Sequence, residues 1–227
     1  MDEKQFWYNR FENQSNRKIR NQTDNSNNVN DYVKYLLANF CTPTLLKIKP
    51  SSFVRMNMRE GIKKCILLKT IETEIKQFEC QYYILYENEN IINLLIYNEE
   101  LFLKILDCKE NKQFFRTNGF EIQDNSIKEV LHTLKQRFEL YYSQKAREQV
   151  IRFPHEIGII LGYPLLDVED FVRYNGKDYQ ICGYWKVYHN AEEALKIFES
   201  YKRMRRYAID LIMEGKDLNN LLLDDFT

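Results

Sequence analysis

The chain has few residues that bend or break a backbone. Its 227 residues include only 7 Gly and 4 Pro, with 3 His and 2 Trp. It also has no excess of either charge: 33 Lys plus Arg stand against 33 Asp plus Glu, for a net charge of +0. A neutral chain is poorly suited to a polyanion as its main partner, since nucleic-acid affinity comes largely from neutralising phosphates. No apolar run approaches the length of a membrane span, and the opening MDEKQFWYNRFENQ lacks a charged-then-apolar leader. These absences predict a cytoplasmic protein with no membrane and no nucleic-acid partner. The five Cys (Cys41, Cys65, Cys80, Cys108 and Cys182) are odd in number, widely spaced and without a CxxC pair. That spacing excludes a zinc framework, and mostly buried, reduced thiols are expected.

Familiar catalytic motifs are missing as well. There is no P-loop, no GxGxxG and no GxSxG. HEIGIILG approaches the HExxH zinc-peptidase helix, but Ile159 stands where the second His must be, and isoleucine cannot bind zinc. No metal is expected, and no cofactor follows from the residues.

What is present suffices for a core: 44% hydrophobic and 14% aromatic residues. Residues 1–30 read as an N-terminal arm, with Phe6, Trp7, Tyr8 and Phe11, followed by a flexible Asn-rich linker over 13–30. Residues 31–227 read as one domain. Asp31 to Phe40 has a helical stripe, and Pro43 and Pro50 bracket TPTLLKIKPSSF as an extended piece. A helix is expected from about Arg59 to Phe78, with Ile62, Ile66, Leu67, Ile71 and Ile75 as its apolar positions. Two apolar-aromatic runs split by ENEN predict a β-hairpin over about 82–97. Glu99 to Cys108 is helical in pattern. Ser126 caps a further helix whose stripe is Ile127, Val130, Leu131, Leu134 and Phe138, with His132 on the flank. Residues 178–188 alternate as one strand: Tyr179, Ile181, Trp185 and Val187 lie on the core face, with Gln180, Cys182, Tyr184, Lys186 and Tyr188 on the other. Asn190 and Glu193 then open a long helix that turns Ala194, Leu195, Phe198, Tyr201, Ala208 and Ile212 inward. With no βαβ rhythm, the fold class is α+β: a small, mainly antiparallel sheet packed with several helices.

Backbone punctuation concentrates between Arg152 and Asn190. This stretch holds Gly158, Gly162, Gly176 and Gly183, Pro154 and Pro164, His155 and His189, and Trp185. Pro154 suits a first helical turn, with Phe153, Ile157, Ile160 and Leu161 on the core face. Gly158, Gly162 and His155 fall on the opposite, smooth face. Either a second backbone packs there and His155 is hydrogen-bonded in the contact, or a flat ligand approaches. Gly162-Tyr163-Pro164 ends the helix. Asp167 can cap a second one, with Val168, Phe171 and Val172 inward and Asn175-Gly176 as its stop.

The segments FPHEIGIILGYPLLDVEDF and CGYWKVY strongly resemble a bacterial family catalogued as domain of unknown function 3793, marked by the motifs PHE and LGYP. Both motifs stand intact here as Pro154-His155-Glu156 and Leu161-Gly162-Tyr163-Pro164. The proline-lysine stretch TPTLLKIKPSSF is similar too, so the resemblance runs from about Asp31 to Ala208. Members of that family often carry Cys where this chain has Met204, so the resemblance implies no thiol pair with Cys182. It implies no activity either.

Three functional readings follow. The first is a non-enzymatic binding or regulatory protein, with a small-molecule or protein partner at Tyr163, Tyr184, Lys186 and Arg205. Pro154, Gly158, Gly162, Pro164, Gly183 and Trp185 then shape the site. The second is an enzyme with His155 and Glu156 as acid–base residues, although neighbouring helical positions point about 100° apart. The third is nucleic-acid binding through YKRMRRY, whose charges spread around a helix and read better as a solvated face. Arg205 is the exception there: it shares a side with Phe198, Tyr201 and Ala208 and can reach inward to a carboxylate or an anionic ligand. One concavity is expected, with the PHE and LGYP residues on one wall and Tyr184 or Lys186 and Arg205 on the other.

Overall fold

The computed structural model describes residues 29–58, 63–120, 126–145 and 153–223, with Lys145 described by its backbone only. The aromatic arm and nearly all of the linker, as well as Arg59 and Ile62 of the expected second helix, lie outside these residues. Helix α1 (Val29–Phe40) starts inside the stretch read as linker and buries Tyr32, Val33, Leu36 and Leu37. The next segment is not the extended piece expected. Pro43 sits in the first turn of the one-turn helix α2 (Thr42–Leu45), where a missing N–H costs no intrahelical bond. A left-handed residue, Lys47 (φ 56°), then reverses the chain before strand β1 (Ser51–Asn57).

Helix α3 (Lys64–Lys76) buries Leu67, Ile71 and Ile75 and leaves Ile66 exposed. The expected hairpin forms from β2 (Cys80–Glu87) and β3 (Ile91–Asn98). Its turn is held by Asn88, whose Oδ1 accepts from the backbone N–H of Asn90 and Ile91, each at 2.9 Å. The sheet is antiparallel in the order β1–β3–β2. Its central strand, β3, is buried at every position, which explains why IINLLIYN is nearly all apolar rather than alternating.

Helices cover both faces of this sheet. Ile92, Leu94 and Ile96 pack with α1, α3 and the 3₁₀ helix Leu218–Leu223. Leu95 and Tyr97 pack with α4 (Glu99–Asp107), α5 (Lys109–Thr117) and α6 (Ile127–Lys145). Ser126 Oγ accepts the Glu129 N–H at 3.3 Å, and the whole α6 stripe from Ile127 to Phe138 is buried. His132 is exposed beside Gln136.

Helix α9 (Ala191–Met213), about 35 Å long at 1.5 Å per residue, serves both layers. Ala194 and Phe198 join one core cluster, while Ala208 and Leu211 join the other. Asn190 does start this helix, but in the left-handed conformation (φ 49°) and without a side-chain capping bond. Leu195, expected inward, is exposed, and Ile212 is half-buried. The architecture is α+β. Among the described residues, no helix is long and apolar enough to cross a membrane.

Candidate functional site

The LGYP motif is a helix ending. Helix α7 (Ile157–Ile160) is a single turn, entered through bonds from the Ile157 and Gly158 N–H groups to the Pro154 and His155 carbonyls. Leu161 caps it and Gly162 takes φ 76°. The Tyr163 N–H donates to the Gly158 carbonyl and the Gly162 N–H to that of Ile159, both at 2.9 Å. This Schellman pair requires a left-handed residue where Gly162 stands. Pro164 then leads into α8 (Leu165–Arg173). The glycine-smoothed face is not open. A Cβ on Gly158 would lie 2.8 Å from Val168 Cγ2, and one on Gly162 would lie 2.7 Å from Pro50 Cδ. Next to that contact, Ser51 Oγ donates to the Ile160 carbonyl at 2.7 Å. The proline-lysine stretch and LGYP therefore interlock.

Asp167 is not a helix cap. Pro164 occupies the cap position, and Asp167, 2% exposed, accepts three N–H donors from the CGYWKVYH segment. Its Oδ2 takes Trp185 Nε1 at 2.7 Å, and its Oδ1 takes the Tyr188 and His189 N–H groups at 2.8 and 2.9 Å. One turn later, Asp170 pairs with Arg173 and with His189 Nε2, both at 2.8 Å. Residues 178–188 are accordingly not one strand. They form β4 (Ile181–Cys182) and β5 (Lys186–Val187), two-residue strands paired apart from the main sheet, turning through Gly183, Tyr184 and Trp185. A Cβ on Gly183 would lie 2.2 Å from Phe198 Cε2, so the turn rests directly on α9.

Trp185, Lys186, Val187 and Tyr188 are all buried in succession, which breaks the expected alternation. Lys186, expected on the outer face, is 3% exposed. Its ammonium donates to the Gly176 carbonyl at 2.6 Å and lies over the rings of Tyr179 and Phe171. A carbonyl and two ring faces replace part of its hydration.

These contacts leave a cleft of about 440 Å³ between the end of α1, the start of β1, the LGYP turn, the β4–β5 turn and α9. Among the described residues, Lys49, Lys202 and Arg205 are its charged lining residues and no Asp or Glu lines it. Lys49 is 7% exposed, with its ammonium 5.5 Å from the Tyr163 ring centroid. Lys202 reaches exposed Glu199 at 2.6 Å. Among the described residues Arg205 meets no carboxylate: its Nε–H donates to Oδ1 of buried Asn39 at 2.7 Å. Tyr163, Tyr184, Phe198 and Tyr201 supply ring walls. Burial pushes the Tyr201 phenol up to about 12, with Tyr163 and Tyr184 adding to the effect, so it is a neutral hydroxyl near pH 7.

The family described as "Protein of unknown function (DUF3793)" matches residues 37–222. The chain belongs to this family. No curated protein and no solved structure matches it. The family's span includes every lining residue of the cleft and both interlocked motif segments.

The single concavity expected from the family motifs is divided in two. Tyr163, Tyr184 and Arg205 line the cleft, whereas His155 and Lys186 line a separate cavity of about 30 Å³, with Tyr163 in the wall of both. His155 is buried, its ring 5.0 Å from that of Phe171 and 5.6 Å from that of Phe153. Glu156 points elsewhere, to Arg137 at 2.5 Å, and Arg137 also donates to the Asn118 carbonyl. Trp185 stacks on Tyr163 and meets Phe198 edge-on. Pro154 is buried while Pro164 is exposed.

Sequence reasoning missed Asn39, Lys49 and Asp167. Asn39 lies in a helix read for its apolar stripe, Lys49 in a piece read from its bracketing prolines, and Asp167 carried a capping signal. All five cysteines are described and are thiols, but only Cys41 and Cys80 are buried. Cys65 and Cys182 are exposed, and Cys182 lines the cleft. Among the described residues, no group of three or more His, Cys, Asp or Glu is arranged to hold a metal ion.

Proposed function

We propose that this is a non-enzymatic binding or regulatory protein of the bacterial cytoplasm whose ligand is a small anion with an apolar, ring-sized body. The observation that carries this reading is the charge of the cleft: among the described residues, Lys49, Lys202 and Arg205 line it and no carboxylate does. An ammonium as buried as that of Lys49 attracts an anion more strongly than a solvated one, because less water screens it. The volume of about 440 Å³ falls in the range of small-molecule sites, about 300–1,000 Å³. The cytoplasmic setting fits a chain whose cysteines are all thiols.

Use of His155 and Glu156 as an acid–base pair has less support. Glu156 is held by Arg137, and the His155 ring is packed between aromatics outside the larger cleft.

Thermal-shift measurements with ring compounds matched in size test the proposal. Benzoate and phenyl phosphate are expected to raise Tm, and benzylamine to leave it unchanged. Equal or greater stabilisation by the cation overturns the reading. Lys49→Gln is expected to reduce the shift given by the anions.

A further inference from the structure

Anions differ in the geometry of their oxygens, and the setting of Arg205 selects among them. Resting on the reading of the cleft as an anion site, we propose that Arg205 grips a two-oxygen face of a carboxylate or phosphate group, and that Asn39 is the positioning residue that aims it. Arg205 lies on α9 one turn beyond Tyr201, half-buried in the cleft wall. Asn39, near the end of α1 and buried, accepts its Nε–H at 2.7 Å. This bond joins positions 166 residues apart in sequence and fixes one edge of the guanidinium.

A guanidinium has five N–H donors in a rigid plane. With Nε engaged, the remaining edge presents parallel N–H groups from Nη1 and Nη2, the geometry that matches two oxygens of one oxyanion. Among the described residues, neither Nη has a hydrogen-bond acceptor or an ion-pair partner. The chemistry of residue 39 also matters. An aspartate there would hold the same N–H but cancel the charge; an amide holds it and leaves the full positive charge for a ligand. Lys49 adds a second, buried cation to the cleft lining, and the rings of Tyr184 and Tyr201, edge-to-face at 5.1 Å, offer apolar surface for the ligand's body. The ligand class is thus an oxyanion attached to a flat or apolar group. A carboxylic acid and a phosphate monoester are its two sources.

Calorimetric titration of the full chain with phenyl phosphate, benzoate and neutral benzyl alcohol tests this. Arg205→Lys keeps the charge but removes the fork, and is expected to weaken phenyl phosphate or benzoate roughly tenfold to a hundredfold. Whichever of the two the wild type binds more tightly identifies the source. Asn39→Asp, nearly isosteric, is expected to weaken the same oxyanion by a similar factor while leaving benzyl alcohol unchanged. A purely structural role for Asn39 would move both probes. Wild-type affinity for the oxyanion in Arg205→Lys overturns the fork, and wild-type affinity in Asn39→Asp overturns the positioning role. Either result leaves the anion reading standing. Failure of the wild type to bind phenyl phosphate or benzoate at millimolar concentration overturns that reading and this inference with it.

Discussion

Trp185 donates its indole N–H to Oδ2 of Asp167 at 2.7 Å, both residues being buried. With the Tyr188 and His189 N–H groups on Oδ1, this carboxylate is the anchor that draws the CGYWKVYH segment onto α8. The anchor sets where Tyr184 and Cys182 stand in the cleft wall, although Asp167 does not line the cleft itself. A buried carboxylate without donors would be costly, so the three bonds and the burial of Asp167 depend on one another.

Asp167→Ala should therefore leave buried N–H groups without their acceptor. The expected loss is about 3 kcal/mol or more in urea unfolding, since each such group costs about 1–3 kcal/mol. Trp185→Phe removes one donor and is expected to cost about 1–3 kcal/mol. A double-mutant cycle should show strong coupling between the two; additivity would mean that the bond contributes little.

Gly162 and Gly215 provide a matched pair. Both take a left-handed φ, 76° and 75°, but a Cβ would lie 2.7 Å from Pro50 at Gly162 and meet nothing within 4 Å at Gly215. Gly215→Ala should cost only the backbone term, about 1–2 kcal/mol. Gly162→Ala should cost clearly more, and Pro50→Ala in the same chain should recover part of the excess. Equal losses in urea unfolding would show that the Pro50 contact yields freely.

His155→Ala is expected to lower stability by about 1–3 kcal/mol through loss of its buried ring contacts with Phe153 and Phe171. Binding of small anions in the cleft should stay near wild type in this variant, because the imidazole lies in the separate small cavity. Loss of binding with an unchanged melting temperature would instead make His155 part of the site.

Thiol labelling reads burial and the cleft in one experiment. Burial pushes the Cys41 thiol far up and that of Cys80 up to about 12, so both should stay largely protonated and slow to react near neutral pH. Cys65 and Cys182 are exposed and should react with iodoacetamide first. A ligand in the cleft should slow Cys182 but not Cys65, and mass spectrometry of the labelled peptides separates the two.

The sequence by itself determined whatever is written in bonds and contacts between near neighbours. The apolar stripe of α6, the Ser126 cap, the 80–98 hairpin and the stop signals at Gly162 and at Asn175-Gly176 all depend on spacings of a few residues. The α+β class followed from those pieces and from the lack of a βαβ rhythm. Only the tertiary structure decided the rest. Alternation misread 178–188 because Lys186 is buried by a carbonyl and two rings that reach it from outside the β4–β5 pair, so its polarity did not predict its side. The capping reading of Asp167 failed because its donors arrive from 18 or more residues away. The packing of Gly162 on Pro50 and the bond from Arg205 to Asn39 join still more distant positions. Periodicity records which face of an element is apolar, but not which other element meets it, and the cleft is made entirely of such meetings.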